Sequence, residues 1–216
     1  MMDAMATRPP GRSVKIGEDE RTGFSSDRPR EGGRVRPPDL RVNCRVLAPA
    51  DRLRYSPGSL LLVACASPAQ REAFLGRLIE DRASLLTRAK VLALLAGRVD
   101  EEELSERADE LLALTVGKRL ENRQTVVLAL EDMDESTRAP FLTMAAAQRR
   151  PRHLILLEVP RELVAGEDLG ALNELRRALD AGELGAEGIQ TALRLGGGTA
   201  EEVKRILFRP PPREEP

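Results

Sequence analysis

Three short runs in this chain are almost unbroken in apolar residues: Ser59-Leu-Leu-Leu-Val-Ala64, Thr125-Val-Val-Leu-Ala-Leu130 and His153-Leu-Ile-Leu-Leu-Glu-Val159. A strand with one face in water alternates polar and apolar positions, so an unbroken run must be covered on both faces. That is the condition of a parallel sheet flanked by helices. Longer segments of helical periodicity separate the runs. A helix is expected near Pro68–Ile79, with proline in its first turn, and another near Lys90–Ala96, closed by Gly97. A long amphipathic helix is expected from a capping-box-like start at Asp100 and Glu103 to about Leu120. Others follow at Ser136–Arg149 and Leu169–Ala181, with a last one opened by Thr199 and Glu202. Weaker strands are read at Ser84–Leu86 and Ile189–Leu193. Strands alternating with crossover helices predict an α/β fold of three layers, with a mostly parallel sheet of about five strands.

Composition divides the chain. Residues 1–40 combine recurring proline and glycine with mixed charges, and their large apolar residues, Val14, Ile16, Phe24 and Val35, are isolated. Such a segment does not bury enough surface to offset its ordering entropy, so a disordered tail that orders against a partner is expected. The folded domain is placed at 41–209, with a second, proline-rich tail at 210–216. The whole chain carries 34 Lys+Arg against 35 Asp+Glu, a net charge of −1, so broad gripping of nucleic-acid phosphates is not favoured. Aromatic residues make up 2%, with no tryptophan, which argues against base-stacking platforms. The two cysteines, Cys44 and Cys65, do not make a disulfide framework. No run is long enough for a membrane span and the N-terminus has no apolar signal core, so a cytoplasmic location is expected.

The segments Tyr55-Ser-Pro-Gly-Ser-Leu-Leu-Leu-Val-Ala64, Val91–Gly97, Arg119-Leu120, Arg123-Gln-Thr-Val-Val127, Ala139-Pro-Phe-Leu142, Leu156-Leu-Glu-Val-Pro160 and Gly188-Ile-Gln190 fall in a telling order. In that order and near that spacing, the chain from Tyr55 to Phe208 resembles P-loop kinases of the bacterial polynucleotide-kinase type. The resemblance implies a P-loop-NTPase-like fold. It also implies a phosphate-binding loop after the first core strand, and there the chain departs from the pattern. A GxxxxGK[ST] loop uses glycines to bring backbone N–H groups onto phosphates, lysine to neutralise charge and Ser/Thr to hold Mg²⁺. Laid on this chain without gaps, its four essential positions read Ala64, Ala69, Gln70 and Arg71. Loss of the lysine and the metal ligand together should weaken Mg-nucleotide binding about a thousandfold.

The same register puts Ala89 and Leu92 at the acceptor-side acidic and basic positions, and Leu128 and Leu130 at the polar positions of the third strand. The arginine-bearing lid shrinks to Arg161–Asp168, and Arg176 and Arg177 are expected to be solvated on a helix. Arg71 is expected in a surface ion pair, Cys65 in the core, and His153 as a lone imidazole supporting no metal site. Gly196-Gly-Gly198 reads as a turn, with an anion loop the lesser alternative. The carboxylates Glu131, Asp132, Asp134 and Glu135 read as a helix start rather than a Mg²⁺ site. The expectation is a domain with no catalytic residue, no metal and no cofactor, serving as a binding, scaffold or regulatory subunit for a protein partner. The alternatives are a nucleotide-dependent enzyme with an unconventional loop, and a nucleic-acid-binding accessory factor.

Overall fold

The computed structural model describes residues 40–209; apart from Leu40, the expectations for tails at 1–40 and 210–216 fall outside them. Eight strands and six α-helices follow in the order β1 (Arg45–Leu47), β2 (Arg52–Tyr55), β3 (Leu60–Cys65), α1 (Pro68–Leu78), β4 (Leu85–Leu86), α2 (Arg88–Leu95), α3 (Leu104–Glu121), β5 (Val126–Ala129), α4 (Glu135–Ala147), β6 (Arg152–Leu157), α5 (Asp168–Asp180), β7 (Thr191–Leu195), α6 (Gly198–Glu202) and β8 (Arg205–Phe208). Six strands form one sheet in the order β1-β7-β6-β3-β5-β4, and every pairing in it is parallel. The fold is therefore a three-layer α/β fold, and the main sheet has one strand more than the five expected.

The burial of β3 shows why an unbroken apolar run was required. Leu60, Leu62 and Ala64 face a core shared with α3, α4 and α5, while Leu61, Val63 and Cys65 face a second core with α1. The second face is not covered by helix alone. β2 and β8 pair in parallel as a separate two-stranded sheet, and Leu53, Tyr55 and Ile206 pack from it onto β3 and its neighbours. Each leucine so buried contributes about 1.5–3 kcal/mol.

Helix ends differ from the sequence reading by one or two residues at α1, α2, α4 and α5, and by more at two places. The long helix begins at Leu104 rather than Asp100, and its N-cap, Glu103, makes no side-chain capping bond. Residues 101–103 form a turn, with the Glu103 N–H on the Asp100 carbonyl. The last helix is only five residues, because Thr199 spends its hydroxyl on the carbonyl and N–H of Gly196 rather than on a cap, and the chain then leaves as β8.

The turn into β3 depends on Gly58, at φ +70°, where a Cβ would lie 2.6 Å from the Arg123 carbonyl oxygen. Arg152, buried at the start of β6, donates from Nε to the Gly188 carbonyl at 2.6 Å and so ties the entry of β6 to that of β7. No helix among the described residues is long and apolar enough to cross a membrane.

Candidate functional site

In a parallel α/β sheet, ligands lie in the crevice beyond the C-terminal ends of the strands. Here that crevice is bounded by the β3–α1 turn, the residues after β5 and those after β6. The first of these is very short. Ala66 and Ser67 alone separate β3 from α1, and Ser67 is the helix N-cap, its hydroxyl accepting the Gln70 N–H at 3.4 Å. Pro68 opens the helix and has no N–H. The Arg71 N–H goes to the Ser67 carbonyl at 3.0 Å. Few backbone donors are left in this turn to face a ligand.

The four loop positions are placed very differently from one another. Ala64 lies inside β3, fully buried and paired with Leu156. Ala69 and Gln70 are exposed in the first turn of α1. Arg71 corrects the expectation of a surface ion pair: it is 5% exposed, and its Nη1 donates to the carbonyl oxygen of Leu130, just beyond β5. Its Nε is buried without a partner. Burial of this arginine was legible in the periodicity, because Arg71, Phe74, Leu75 and Leu78 form one buried stripe of α1.

The remaining positions are spread out. Leu128 and Leu130 are core residues. Ala89 lines an apolar cleft of about 600 Å³ between α1 and α2, beside Leu75, Leu85 and Ala93. A separate cleft of about 260 Å³ lies on the other side of α1, lined by Gln70, Phe74, Arg77, Glu158 and Ala200 among others. Arg71 and its bond to Leu130 belong to neither cleft's lining.

After β6 the polar side chains are already committed to each other. Glu158 accepts from Arg176 on α5 and from Arg194 on β7, the latter at 2.7 Å. Burial opposes ionisation of Glu158, but the hydrogen bonds and charges of these two arginines outweigh it and hold its carboxyl below the usual carboxylate range. Arg176 is thus a half-buried structural arginine rather than the solvated one expected; Arg177 is exposed, on Glu183 at 2.9 Å. Gly196 is needed beside this group, since a Cβ there would come within 2.8 Å of the Glu158 Cβ.

Of the carboxylates after β5, Asp132 is occupied and Glu131 lies 3.9 Å from Arg88. Asp132 takes the Asp134 N–H at 3.0 Å and the Thr137 hydroxyl at 2.8 Å, forming a turn into α4. No group of three or more metal-ligating side chains is present among the described residues. Nearby, Arg138 makes a bidentate pair with Glu187 at 2.5 and 2.7 Å and also donates to the Met133 carbonyl. Sequence reasoning missed this pair, although Arg138 stands on the buried stripe of α4 with Leu142 and Ala145.

Cys65 ends β3 in the core, and burial pushes its thiol up despite the nearby Arg71 charge. His153 lies at the opposite end of the sheet, near the start of β6, with its Nδ1 at 2.8 Å from Thr191 Oγ1 and its ring 4.7 Å from that of Tyr55. Desolvation, with the Arg152 charge, lowers its pKa to about 4. It takes no part in the crevice. No protein-family model and no curated protein matches the chain.

Proposed function

We propose that this chain is a P-loop-kinase-like domain that does not transfer phosphate and acts as a binding or regulatory subunit for another protein. The observation that carries the reading is the turn between β3 and α1: two residues long, opened by a proline, and closed off by the Arg71 guanidinium on Leu130. A cradle for phosphates needs several inward N–H groups between strand and helix. A turn of Ala66 and Ser67 has no length for it. The arginine that follows is spent on a main-chain carbonyl, Asp132 beyond β5 on a turn, and Glu158 beyond β6 on ion pairs. The chemistry left to such a domain is recognition by its surface.

A thermal-shift series and calorimetry with Mg-ATP and Mg-GTP test this. At millimolar nucleotide the melting temperature should stay unchanged and no binding heat should appear. A ligand at 100 times its dissociation constant would add about 2.7 kcal/mol of stability, so micromolar affinity for either nucleotide would overturn the proposal.

A further inference from the structure

Helices α3 and α4 end in the same way. In each, the residue after the C-cap is left-handed, the N–H of that residue bonds back three positions, and the next N–H bonds back five. The bonds are Arg123 to Leu120 and Gln124 to Arg119 at the end of α3, and Arg149 to Ala146 and Arg150 to Ala145 at the end of α4. This is the Schellman arrangement, whose left-handed position is normally glycine because a Cβ there is strained. The chain itself uses glycine at the corresponding left-handed positions after α2 and α5, Gly97 at φ +72° and Gly182 at φ +70°. After α3 and α4 it uses arginine, Arg123 at φ 59° and Arg149 at φ 53°, the two non-glycine residues with positive φ among those described.

The strain is not offset by what these two side chains do within the domain. The helix carbonyls are capped by main-chain bonds, and neither the Arg123 nor the Arg149 side chain makes a hydrogen bond or ion pair with a described residue, both being exposed. The two positions are also matched in the sheet. Leu60 of β3 pairs with Val126 on one side and Arg152 on the other, and each arginine lies three residues before its strand's paired residue. Two strand spacings separate the paired residues Val126 and Arg152 by about 10 Å, so both arginines stand at the same entry edge of the sheet. Lys118 and Arg119 in the last turn of α3, and Arg150 after α4, belong to the same helix ends; Arg119 and Arg150 are half-buried and Arg119 donates to the Thr125 carbonyl at 3.3 Å, while none of the five has a carboxylate partner among the described residues. The Arg150 Nε is buried and unpartnered.

We propose that this edge, Lys118, Arg119, Arg123, Arg149 and Arg150, is a docking surface for a short carboxylate-rich segment of a partner protein. The proposal rests on the reading of the chain as a protein-binding subunit, and names the chemistry of the partner. The extent of the patch selects the occupant. It spans the entries of three strands, and acids lie within and beside it: the exposed Glu121 ends α3 between Arg119 and Arg123, and Glu80 and Asp81 share a cleft with Thr125. A nucleic-acid duplex runs past such a patch onto like charge, on a chain of net charge −1. A few carboxylates, met by planar guanidinium groups, do not.

Glycine at the two left-handed positions separates docking from folding, because it relieves strain while removing charge. Binding of poly-L-glutamate to the full chain is measured by fluorescence anisotropy at about 50 and 200 mM salt, alongside a duplex of DNA. The wild-type chain should bind poly-L-glutamate, more weakly at the higher salt, and should bind the duplex at least about tenfold more weakly. The Arg123→Gly/Arg149→Gly variant should melt at or a few degrees above wild type and lose binding about tenfold or more. Equal binding by variant and wild type, no binding of poly-L-glutamate at low salt, or tighter binding of the duplex would each overturn the proposal. Nucleotide takes no part in this measurement, so its failure leaves the reading of the crevice to the nucleotide titration, and a positive nucleotide titration leaves this edge untouched.

Discussion

Arg71, in the first turn of α1, donates from its guanidinium to the main-chain oxygen of Leu130, so the helix that leaves β3 is fastened to the end of β5 by a buried charge. Removal of that side chain leaves a carbonyl unmet and a void beneath α1. Arg71→Ala should therefore cost about 2–3 kcal/mol in denaturant titration, whereas Glu72→Ala, one residue on and exposed, should stay within about 0.5 kcal/mol. Equal effects would show that the arginine is not holding helix to strand.

Rebuilding the loop pattern at its four positions should fail. In an Ala64→Gly, Ala69→Gly, Gln70→Lys, Arg71→Ser variant, the first glycine sits in the interior of β3, the turn keeps its two residues and the Leu130 bond is lost. The expected outcome is a chain less stable by about 3 kcal/mol or more with no Mg-ATP heat at millimolar concentration. Micromolar binding by this variant would show that the two-residue turn can open into a phosphate cradle.

The Arg138–Glu187 pair, almost wholly buried on both sides, predicts an asymmetry. Arg138→Ala leaves a buried carboxylate alone and should cost about 3–5 kcal/mol. Arg138→Met with Glu187→Leu removes both charges and should recover most of that loss. A double variant as unstable as the single one would mean that the Met133 carbonyl bond, not the ion pair, carries the effect.

Acid sensitivity should trace to His153. Its imidazole is held neutral in the fold, with desolvation and the Arg152 charge lowering its pKa from the ordinary 6.5 to about 4. Below pH 6.5 the unfolded chain takes up a proton that the folded chain refuses, so stability falls as the pH drops from 6.5 to about 4. At the bottom of that window the loss from this residue is roughly 3 kcal/mol. Urea midpoints measured between these limits should decline more steeply for wild type than for His153→Gln, which has no such proton to refuse. Parallel slopes would assign the acid sensitivity to the carboxylates.

The strands that read most clearly in the sequence, β3, β5 and β6, are those buried on both faces, where an apolar run has one interpretation. β1, β2 and β8 were not legible. They are three or four residues long, and β2 reads Arg-Leu-Arg-Tyr, with alternate positions in water. Their pairing is decided by distant partners rather than by local pattern. β8 in particular lies in what reads as the continuation of a helix, and its pairing with β2 decides against the helix. What fills the crevice was misread from residue type, since Arg71 was expected on the surface and is buried. An arginine is ordinarily a surface residue, and the stripe that buries Arg71 and Arg138 is the better guide to where their guanidinium groups go.

The pairing of β2 with β8 also bears on the time course of folding. Tyr55 and Phe208 are partners although almost the whole described chain lies between them, and the Lys204 and Arg205 N–H groups both reach back to the Asp51 carbonyl. Until β8 has left the ribosome, the face of the sheet carrying Leu61, Val63, Ile155 and Leu193 has α1 over it but not its two-stranded cover. Every strand of the main sheet is parallel and joined by a crossover, so contacts are non-local throughout and slow to form. The last of the described strands to be synthesised is thus the one that seals the apolar face, and a nascent chain paused before it presents that face to chaperones or to aggregation.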